Sequence, residues 1–330
     1  MNKKEIAIFG AGTYGRRAIM SYLVEREKVA YVVDNALEKQ GKYVLGIPII
    51  SPEEFAEEKD RYHIVIAVNV CFQKQIESQL KNLGVEDYEI FDLKKHSEKE
   101  RLISYAEKET QEDVILYHVL KEEKDIFYID IGSNDPFEHS VTKLLYDMKN
   151  ARGINIDPQR GFIELIRKER PRDINLCFGI GAERGKKKFY FQGGFSTYIK
   201  ENVMDEECYC EEVEIVTLKD VCGKYLQGRR QISFLKVDVE GAEYDVLAGA
   251  DFKEYRPWIV VVESVEPRTY APNYHKWEEI LLANQYHFVL MEGYNRYYVA
   301  DERKILDERF CPIDKLNQMY NIYYASLTVI

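Results

Sequence analysis

Short apolar runs alternate with helical patterns through residues 1–93, in the order typical of α/β folds. Apolar runs that predict strands lie at 5–9, 29–34 and 63–68, and apolar residues at helical spacing lie at 14–27 and 72–83. A strand, a helix and a second strand in succession usually give parallel pairing. We therefore expect residues 1–93 to form a small Rossmann-like domain.

The same alternation restarts at residue 126. Predicted strands lie at 126–131, 152–157, 174–180, 232–239, 258–264, 287–291 and 296–300, and predicted helices at 139–149, 160–169, 243–250 and 275–284. Residues 126–330 thus predict a second Rossmann-like α/β domain, with a mostly parallel sheet that binds ligands outside the carboxyl ends of its strands. Residues 94–125 are charge-rich and nearly free of Gly and Pro, and they predict a helical connector.

Composition narrows the classes of function. The formal net charge of -11 over 330 residues argues against a nucleic-acid binder, because phosphate neutralisation requires a clustered basic face. The six cysteines are scattered without zinc-finger spacing, which favours reduced thiols and a cytoplasmic protein. No apolar run approaches the ~20 residues that span a bilayer, so membrane insertion is not expected.

The first glycine-rich loop, "GAGTYG", lies between a predicted strand and a predicted helix. Gly10, Gly12 and Gly15 fit the dinucleotide-binding pattern, and Asp34 lies where a ribose hydroxyl is expected. The pattern predicts a nucleotide site, or else glycines that only permit close packing of the helix on the strand. An NAD-dependent oxidoreductase would also need an acid for hydride chemistry, and no convincing one is found.

This half of the chain also resembles the small Rossmann-like domain found before sugar acetyltransferases. The blocks that carry the resemblance are "FGAGTYGR", "VVDN" and "GIPIISPEEF". The resemblance implies that residues 1–93 dock a nucleotide-sugar, and it makes a dehydrogenase the less favoured alternative.

A second glycine loop follows the strand at 126–131, in "YIDIGSND". Gly132 permits a tight turn that brings the backbone at Ser133 and Asn134 close to a ligand, and the Asp130 carboxylate suits an ammonium group. Asp157 ends the next strand, where an acid can accept both hydroxyls of a ribose. A nucleoside joined to an amino acid describes S-adenosylmethionine, which is the predicted cofactor.

Residues 126 to 312 resemble the FkbM family of S-adenosylmethionine-dependent methyltransferases. The blocks that carry the resemblance include "FYIDIGSNDPFEHSVTKLLYD", "RGINIDP", "GFSTY", "FLKVDVEGAEYDVLAGADF" and "RPWIVVVESVEP". The resemblance implies a seven-stranded Rossmann-like sheet with one antiparallel strand, and O-methylation of hydroxyls on sugars or related molecules. Pro136 departs from a glycine common in that family, and Asp157 replaces a frequent Glu.

Acidic residues at neighbouring strand ends are the candidates for the chemistry. Strand alternation sends Asp238 and Glu240 to the same side of the chain, and Glu263 ends the next strand. These three carboxylates are predicted to hold Mg²⁺, or one of them is predicted to accept the hydroxyl proton directly. The alternative is that Glu240 and Glu263 only cap and cross-link the loops. For Glu243, at the start of the following helix, a structural role is favoured.

Two histidines are further candidates for the general base. His275 lies in "PNYHKWEE", a segment expected to cross the mouth of the crevice, and the alternative for it is a surface histidine. His139 follows the second glycine loop, where a role at the start of a helix explains it equally well.

The predicted function is therefore an O-methyltransferase whose partner is a sugar or nucleotide-sugar hydroxyl acceptor, with homo-oligomerisation left open. The alternatives are an NAD-dependent oxidoreductase built on residues 1–93 and a nucleotide-sensing module without catalysis. The sequence does not identify the acceptor or the methylated position.

Overall fold

The computed structural model describes residues 4–24, 27–92, 100–205, 207–226, 228 and 231–325. It contains two compact units, one formed by Met1–Ile103 with Met319–Ile330 and the other by Ser104–Gln318. The short returning segment of the first unit was not predicted from the sequence.

The first unit contains a six-stranded sheet with the strand order β3-β4-β2-β1-β5-β6, parallel except that β3 is antiparallel to β4. Its elements are β1 (Glu5–Phe9), α1 (Thr13–Val24), β2 (Val29–Val33), β3 (Tyr43–Val44), β4 (Ile47–Ile50), α2 (Pro52–Glu58), β5 (Tyr62–Ile66), α3 (Val70–Asn82), β6 (Glu89–Ile90) and β7 (Arg101–Ser104). The predicted Rossmann-like arrangement is confirmed. The β3–β4 pair was missed because its two strands are only two and four residues long.

The second unit follows the predicted alternation closely. Its elements are α4 (Glu112–Val119), β8 (Phe127–Ile131), α5 (Lys143–Met148), β9 (Arg152–Ile156), α6 (Arg160–Glu169), β10 (Ile174–Leu176), β11 (Gly179–Ile180), β12 (Gly185–Tyr190), β13 (Cys210–Val216), α7 (Leu218–Tyr225), β14 (Ile232–Val237), α8 (Glu243–Ala248), β15 (Pro257–Glu263), α9 (Glu278–Ala283), β16 (Tyr286–Glu292), β17 (Asn295–Ala300) and α10 (Ile313–Met319). Short 3₁₀ helices lie at Lys59–Arg61 in the first unit and at Lys200–Asn202, Tyr274–Lys276 and Asp301–Arg309 in the second.

The main sheet of the second unit has seven strands in the order β10-β9-β8-β14-β15-β17-β16. The strand β17 is antiparallel to both of its neighbours, and the other pairs are parallel, so the predicted methyltransferase-type sheet is confirmed. Ile129, Leu235 and Val260 lie in its central strands and are almost fully buried. Because helices cover both faces, these strands are nearly continuous apolar runs.

The predicted strand at 174–180 is wrong as a single element. It divides into β10, at the edge of the main sheet, and β11, which joins β12 and β13 in a separate three-stranded sheet. This change of sheet places the segment after β10 beside the carboxyl ends of the main strands.

The predicted helical connector is also wrong over Arg101–Ser104, which form the strand β7 and pair with β18 (Asn321–Tyr324) in a two-stranded sheet. Residues 94–99 of that prediction lie outside the described residues. The helix α4 does form, but it is a core helix, because Val114, Ile115 and Leu116 are completely buried. Helical spacing alone does not distinguish a solvated connector from a helix that is apolar around its whole circumference.

Candidate functional site

A cavity of about 440 Å³ opens in the second unit at the carboxyl ends of β8, β9 and β14. This volume lies within the ~300–1,000 Å³ range of small-molecule sites. The lining residues are Glu107, Ile131, Gly132, Asn134, Asp135, Glu138, His139, Ile156, Asp157, Pro158, Gln159, Phe162, Phe178, Gly179, Ile180, Phe189, Gly193, Gly194, Phe195, Ser196, Tyr198, Lys236, Asp238, Val239 and Glu240.

Gly132 forms the turn at the end of β8, with a φ of +80°. A side chain at this position would overlap the carbonyl oxygen of Asp238, so only glycine lets the two strand ends approach so closely. The amides of Gly132 and Ser133 donate to the carbonyl oxygen of Ile156 at 2.9 and 3.2 Å. The turn is therefore tied to both neighbouring strands before any ligand binds.

Asp157 lies just beyond β9 and organises the same loop. Its Oδ2 accepts the amide of Asn134 at 3.0 Å, and its Oδ1 accepts the amide of Gln159 at 2.8 Å. Burial raises the pKa of Asp157 to about 6, against these two hydrogen bonds. Each carboxylate oxygen has a second lone pair, so the group can still accept hydroxyls from a ligand.

Asp130 lies below the cavity rather than on its wall. Its side chain is buried, and Oδ2 accepts the Thr142 hydroxyl at 3.1 Å. Burial raises the pKa of Asp130, and its Oδ1 has no hydrogen-bond partner within the described part of the chain. Ser133, the next predicted contact, is also buried, and its hydroxyl has no partner among the residues that the structure describes, whereas Asn134 lines the cavity.

Lys236 and Asp238 form a close ion pair at the cavity wall, with Nζ 2.7 Å from Oδ2. Burial alone would lower the pKa of Lys236, but the carboxylates of Asp238, Asp130 and Glu112 outweigh it and raise the pKa above its usual value. Lys236 is only 5% exposed. The lysine therefore fixes the direction of the Asp238 carboxylate.

Glu240 lines the cavity but reaches it by a different route from the one predicted. The strand β14 ends at Val237, and Glu240 has a φ of +54°, so strand alternation no longer applies there. The backbone carbonyl oxygen of Glu240 accepts hydrogen bonds from the Thr197 hydroxyl at 3.2 Å and from the side-chain amide of Asn202 at 2.9 Å. Burial, with the charges of Asp238 and Glu243 added, raises the pKa of Glu240 to about 8.

Glu243 serves the structure of this turn. Its Oε1 accepts the amides of Gly241 at 3.0 Å and Val239 at 3.3 Å. The structural role favoured for Glu243 is thus supported, although the contact is to the turn amides.

The predicted magnesium site of Asp238, Glu240 and Glu263 is not found. Among the described residues, no group of three or more His, Cys, Asp or Glu side chains is arranged to hold a metal ion. Asp238 is directed at Lys236, and the backbone turns at Glu240, so the three carboxylates do not converge as regular strand ends would. Burial, followed by the charges of Asp238, Glu243 and Glu240, raises the pKa of Glu263 well above its usual value.

The two histidine candidates lie in different places. His275 is exposed in the 3₁₀ helix Tyr274–Lys276 and does not line the cavity, so the crossing predicted for its segment does not bring it to the acids. His139 lines the cavity, and its Nδ1 is 3.2 Å from Glu107 Oε1.

Part of the cavity wall was not predicted as functional. Glu107 comes from the predicted connector, and Phe162 and Phe178 come from segments with only a structural prediction. The segment after β12 reaches the same wall, where the Gln159 side-chain amide donates to the Gly193 carbonyl oxygen at 3.1 Å. No local sequence pattern predicts these residues as part of a site, because only the folded chain brings them together.

The glycine loop of the first unit is closed by its own hydrogen bonds. The Asp34 carboxylate accepts the amides of Ala11 at 2.7 Å and Ala36 at 2.9 Å. A side chain at Gly15 would overlap the Gly10 carbonyl oxygen, whereas one at Gly12 would meet nothing within 4 Å. Gly15 therefore has the packing role that was the alternative to a nucleotide site.

In the described ranges, no helix is long and apolar enough to cross a membrane. A search of curated proteins gave no match. Among solved structures, the chain is similar to a methyltransferase FkbM from Methylobacillus flagellatus KT, with 14% identity, 90% of each chain covered and a TM-score of 0.36. It is also similar to UDP-D-quinovosamine 4-dehydrogenase from Vibrio fischeri, with 22% identity, 26% of this chain and 75% of that chain covered, and a TM-score of 0.22.

Two family models match the chain, one in each half. Residues 1–91 match the model described as C2185-like, N-terminal. Residues 130–288 match the model described as methyltransferase FkbM domain, and this range contains Gly132, Asp157, Asp238 and Glu240. The second unit of this chain thus carries an FkbM methyltransferase domain.

Proposed function

We propose that the protein is a cytoplasmic S-adenosylmethionine-dependent O-methyltransferase that acts on a hydroxyl group of a sugar, sugar-nucleotide or glycan-related acceptor. The methyltransferase FkbM domain supports the class of reaction. The charge of the cavity wall is the observation in this structure that carries the choice of cofactor. The cytoplasmic setting rests on the six cysteines, which are all free thiols.

The cavity is strongly acidic. Its wall carries six carboxyl side chains, and Lys236 is the one lysine or arginine among the described residues that line it; the acids are Glu107, Asp135, Glu138, Asp157, Asp238 and Glu240. Such a wall favours a ligand with positive charge and opposes a pyrophosphate. S-adenosylmethionine has a sulfonium and an ammonium group, whereas NAD⁺ has a pyrophosphate, so the wall fits the former.

Three residues of the cavity support the choice of this cofactor. Asp157 offers carboxylate lone pairs to ribose hydroxyls, as an acid beyond the second strand does in Rossmann-like sheets. Asn134 Oδ1 is buried without a hydrogen-bond partner within the described ranges, so an amide oxygen is available for a donor on the ligand. Gly132 keeps the loop close to the strand ends.

When bound, S-adenosylmethionine supplies an activated methyl group, so the protein must align the acceptor oxygen and remove its proton. Good alignment can supply ~7–11 kcal/mol of the barrier. Glu240 lines the cavity, and its pKa of about 8 suits a base that takes up the hydroxyl proton near neutral pH. Lys236 holds the neighbouring Asp238 in one orientation at 2.7 Å.

For residues 1–93 we propose an accessory role in docking a nucleotide or nucleotide-sugar. The glycine loop after β1 supports this role through its position before the N-terminus of α1. The Asp34 carboxylate already accepts two backbone amides, and this does not favour a catalytic role for it.

Calorimetry with S-adenosylhomocysteine and NAD⁺ on the full chain tests this proposal. We expect S-adenosylhomocysteine to bind, and Asp157→Ala to weaken that binding at least tenfold while circular dichroism shows an intact fold. Asp135 is half-buried and lines the same cavity, so Asp135→Asn serves as a matched control for charge with a smaller expected effect. NAD⁺ binding without S-adenosylhomocysteine binding would overturn the proposal in favour of an oxidoreductase, and binding of neither would favour a module without catalysis.

A further inference from the structure

The rings of two tyrosines contact each other in a tilted arrangement beside the acidic side of the cavity. The ring centroids of Tyr270 and Tyr294 are 5.2 Å apart with an interplanar angle of 33°. Tyr270 is 56% exposed, although a large aromatic ring gains by being covered. Neither residue belongs to the cavity wall described above, so the role of the pair is unassigned.

Tyr294 is held in place by its backbone. It lies in the two-residue turn between β16 and β17, and its carbonyl oxygen accepts both the amide and the hydroxyl of Ser264, at 2.8 and 2.7 Å. The preceding Gly293 packs against the segment before α4, where a side chain would overlap Thr110 and lie 3.2 Å from the carbonyl oxygen of Glu109. This packing brings the hairpin to the segment that carries Glu107 to the cavity.

Tyr270 belongs to a closed loop after β15. The amide of Glu266 donates to the carbonyl oxygen of Ala271 at 2.7 Å, and the amide of Tyr270 donates to the carbonyl oxygen of Glu266 at 3.0 Å. Tyr270 has a φ of +55°, which is costly for an aromatic residue and persists only where the surroundings impose it. The ring is therefore presented by an ordered loop.

The same loop reaches the acids of the proposed reaction. Pro267 lies beside Gly241, with its Cδ 3.6 Å from where a side chain at Gly241 would begin. Glu240 is the residue before Gly241 and lines the cavity. Partial burial, then the charges of Tyr270, Glu107, Glu109 and Glu263, raise the pKa of the Tyr294 hydroxyl. The tyrosine pair thus borders a row of carboxyl groups that continues into the cavity.

An aromatic face beside carboxyl groups suits one class of ligand particularly well. The C–H face of a sugar ring packs on an aromatic ring, while carboxylate oxygens accept its hydroxyl groups. The same carboxylates repel phosphate, and they attract an amino group.

We propose that Tyr270 and Tyr294, with Glu107, form the subsite for the acceptor, and that this acceptor presents a neutral or amino sugar ring rather than a nucleotide-linked one. The inference rests on the proposed function and narrows its acceptor class. It assigns Tyr270 and Tyr294 to substrate binding and leaves the cofactor to Gly132, Asn134 and Asp157.

Saturation-transfer NMR on the full chain with S-adenosylhomocysteine tests this subsite. The probes are the methyl glycosides of glucose, galactose, mannose and glucosamine, with UDP-glucose as the charged competitor. We expect transfer to ring protons of at least one glycoside, loss of most of that signal in Tyr270→Ala, and retention in Tyr270→Phe. Tyr43→Ala removes a tyrosine with 61% exposure from the first unit and should change nothing.

A second variant tests the charge. Glu107→Gln should weaken the glucosamine signal more than the glucose signal, because only the former has an ammonium group. No transfer to any glycoside, equal transfer in Tyr270→Ala, or a stronger signal for the glucosyl ring of UDP-glucose would each overturn the subsite. Calorimetry with S-adenosylhomocysteine separates the two proposals. If S-adenosylhomocysteine does not bind, the methyltransferase proposal fails. If it binds and any of these three NMR results is found, only the subsite is contradicted.

Discussion

Lys236 Nζ lies 2.7 Å from Asp238 Oδ2, and this contact joins the buried centre of the sheet to the cavity wall. Behind the lysine lie two further buried acids, Asp130 and Glu112, whose charges also act on it. Glu112 in turn accepts the side-chain amide of Asn295 at 2.7 Å. One cation therefore offsets several carboxyl groups that burial would otherwise make costly.

Lys236→Met should be strongly destabilising, because it removes the cation that Asp238, Asp130 and Glu112 share. Removal of one partner from a buried ion pair typically costs ~3–5 kcal/mol, and urea denaturation would measure the free energy of unfolding. Lys219→Met is the matched control, since it breaks an exposed pair with Asp251 and should change little. Equal effects of the two variants would contradict the role assigned to Lys236.

Gly132→Ala should destabilise the second unit, since the residue would have to keep a positive φ and its side chain would overlap the Asp238 carbonyl oxygen. The left-handed conformation alone costs ~1–2 kcal/mol for a residue with a side chain. Gly161→Ala is the opposite case, because Gly161 lies in α6 with open space around it. Alanine there should stabilise by ~0.5–1 kcal/mol. Urea titrations of both variants would show opposite shifts, and a stabilising Gly132→Ala would contradict the model of the turn.

The sequence predicted the parts of this protein that local pattern determines. Apolar alternation predicted a mostly parallel sheet, and the family resemblance implied its seven strands with one antiparallel. An acid after each of β9 and β14 predicted Asp157 and Asp238 at one edge. Glu240 was placed on the wall for the wrong reason, because its positive φ depends on the turn and not on strand alternation. Glu107 was missed because its segment looked like a solvated connector.

Long-range contacts explain the remaining misses. Asn295 is close to Glu112 although 183 residues separate them, and no local pattern predicts such a pair. The tilted rings of Tyr270 and Tyr294 likewise meet through a loop and a hairpin that pack side by side. A single sequence gives the elements and their order, but it does not say which loops face each other.

Asp34→Ala should loosen the glycine loop of the first unit. The variant removes the acceptor for the amides of Ala11 and Ala36, and a hydrogen bond to a charged group contributes ~1.5–3 kcal/mol. Hydrogen exchange at those two amides would measure the effect, and we expect a loss of protection of at least tenfold. Asp34→Asn keeps one carbonyl oxygen, so its amide protection should lie between that of the natural protein and that of Asp34→Ala. Unchanged protection in Asp34→Ala would mean that other groups close the loop.

Stability should depend on pH through Glu240. Its pKa is about 8 in the folded protein and is ordinarily 4.5, so the folded state holds a proton that the unfolded chain loses. The corresponding stability is fully present below about pH 4.5 and is lost as the pH rises through about 8. The glutamine side chain of Glu240→Gln stays neutral at every pH. The free energy of unfolding of this variant minus that of the natural protein should therefore increase from about pH 5 to about pH 9, which bracket that window.

Urea denaturation of both proteins at several pH values would measure this difference. Glu57→Gln is the control, because Glu57 is an exposed residue of α2 in the other unit and should give a flat difference. Asp157 and Glu243 also have raised pKa values, of about 6 and about 7, so the natural protein should lose stability over a wider range than Glu240 alone explains. A difference between Glu240→Gln and the natural protein that shrinks as the pH rises would contradict the raised pKa of Glu240, because the folded state would then not hold the extra proton.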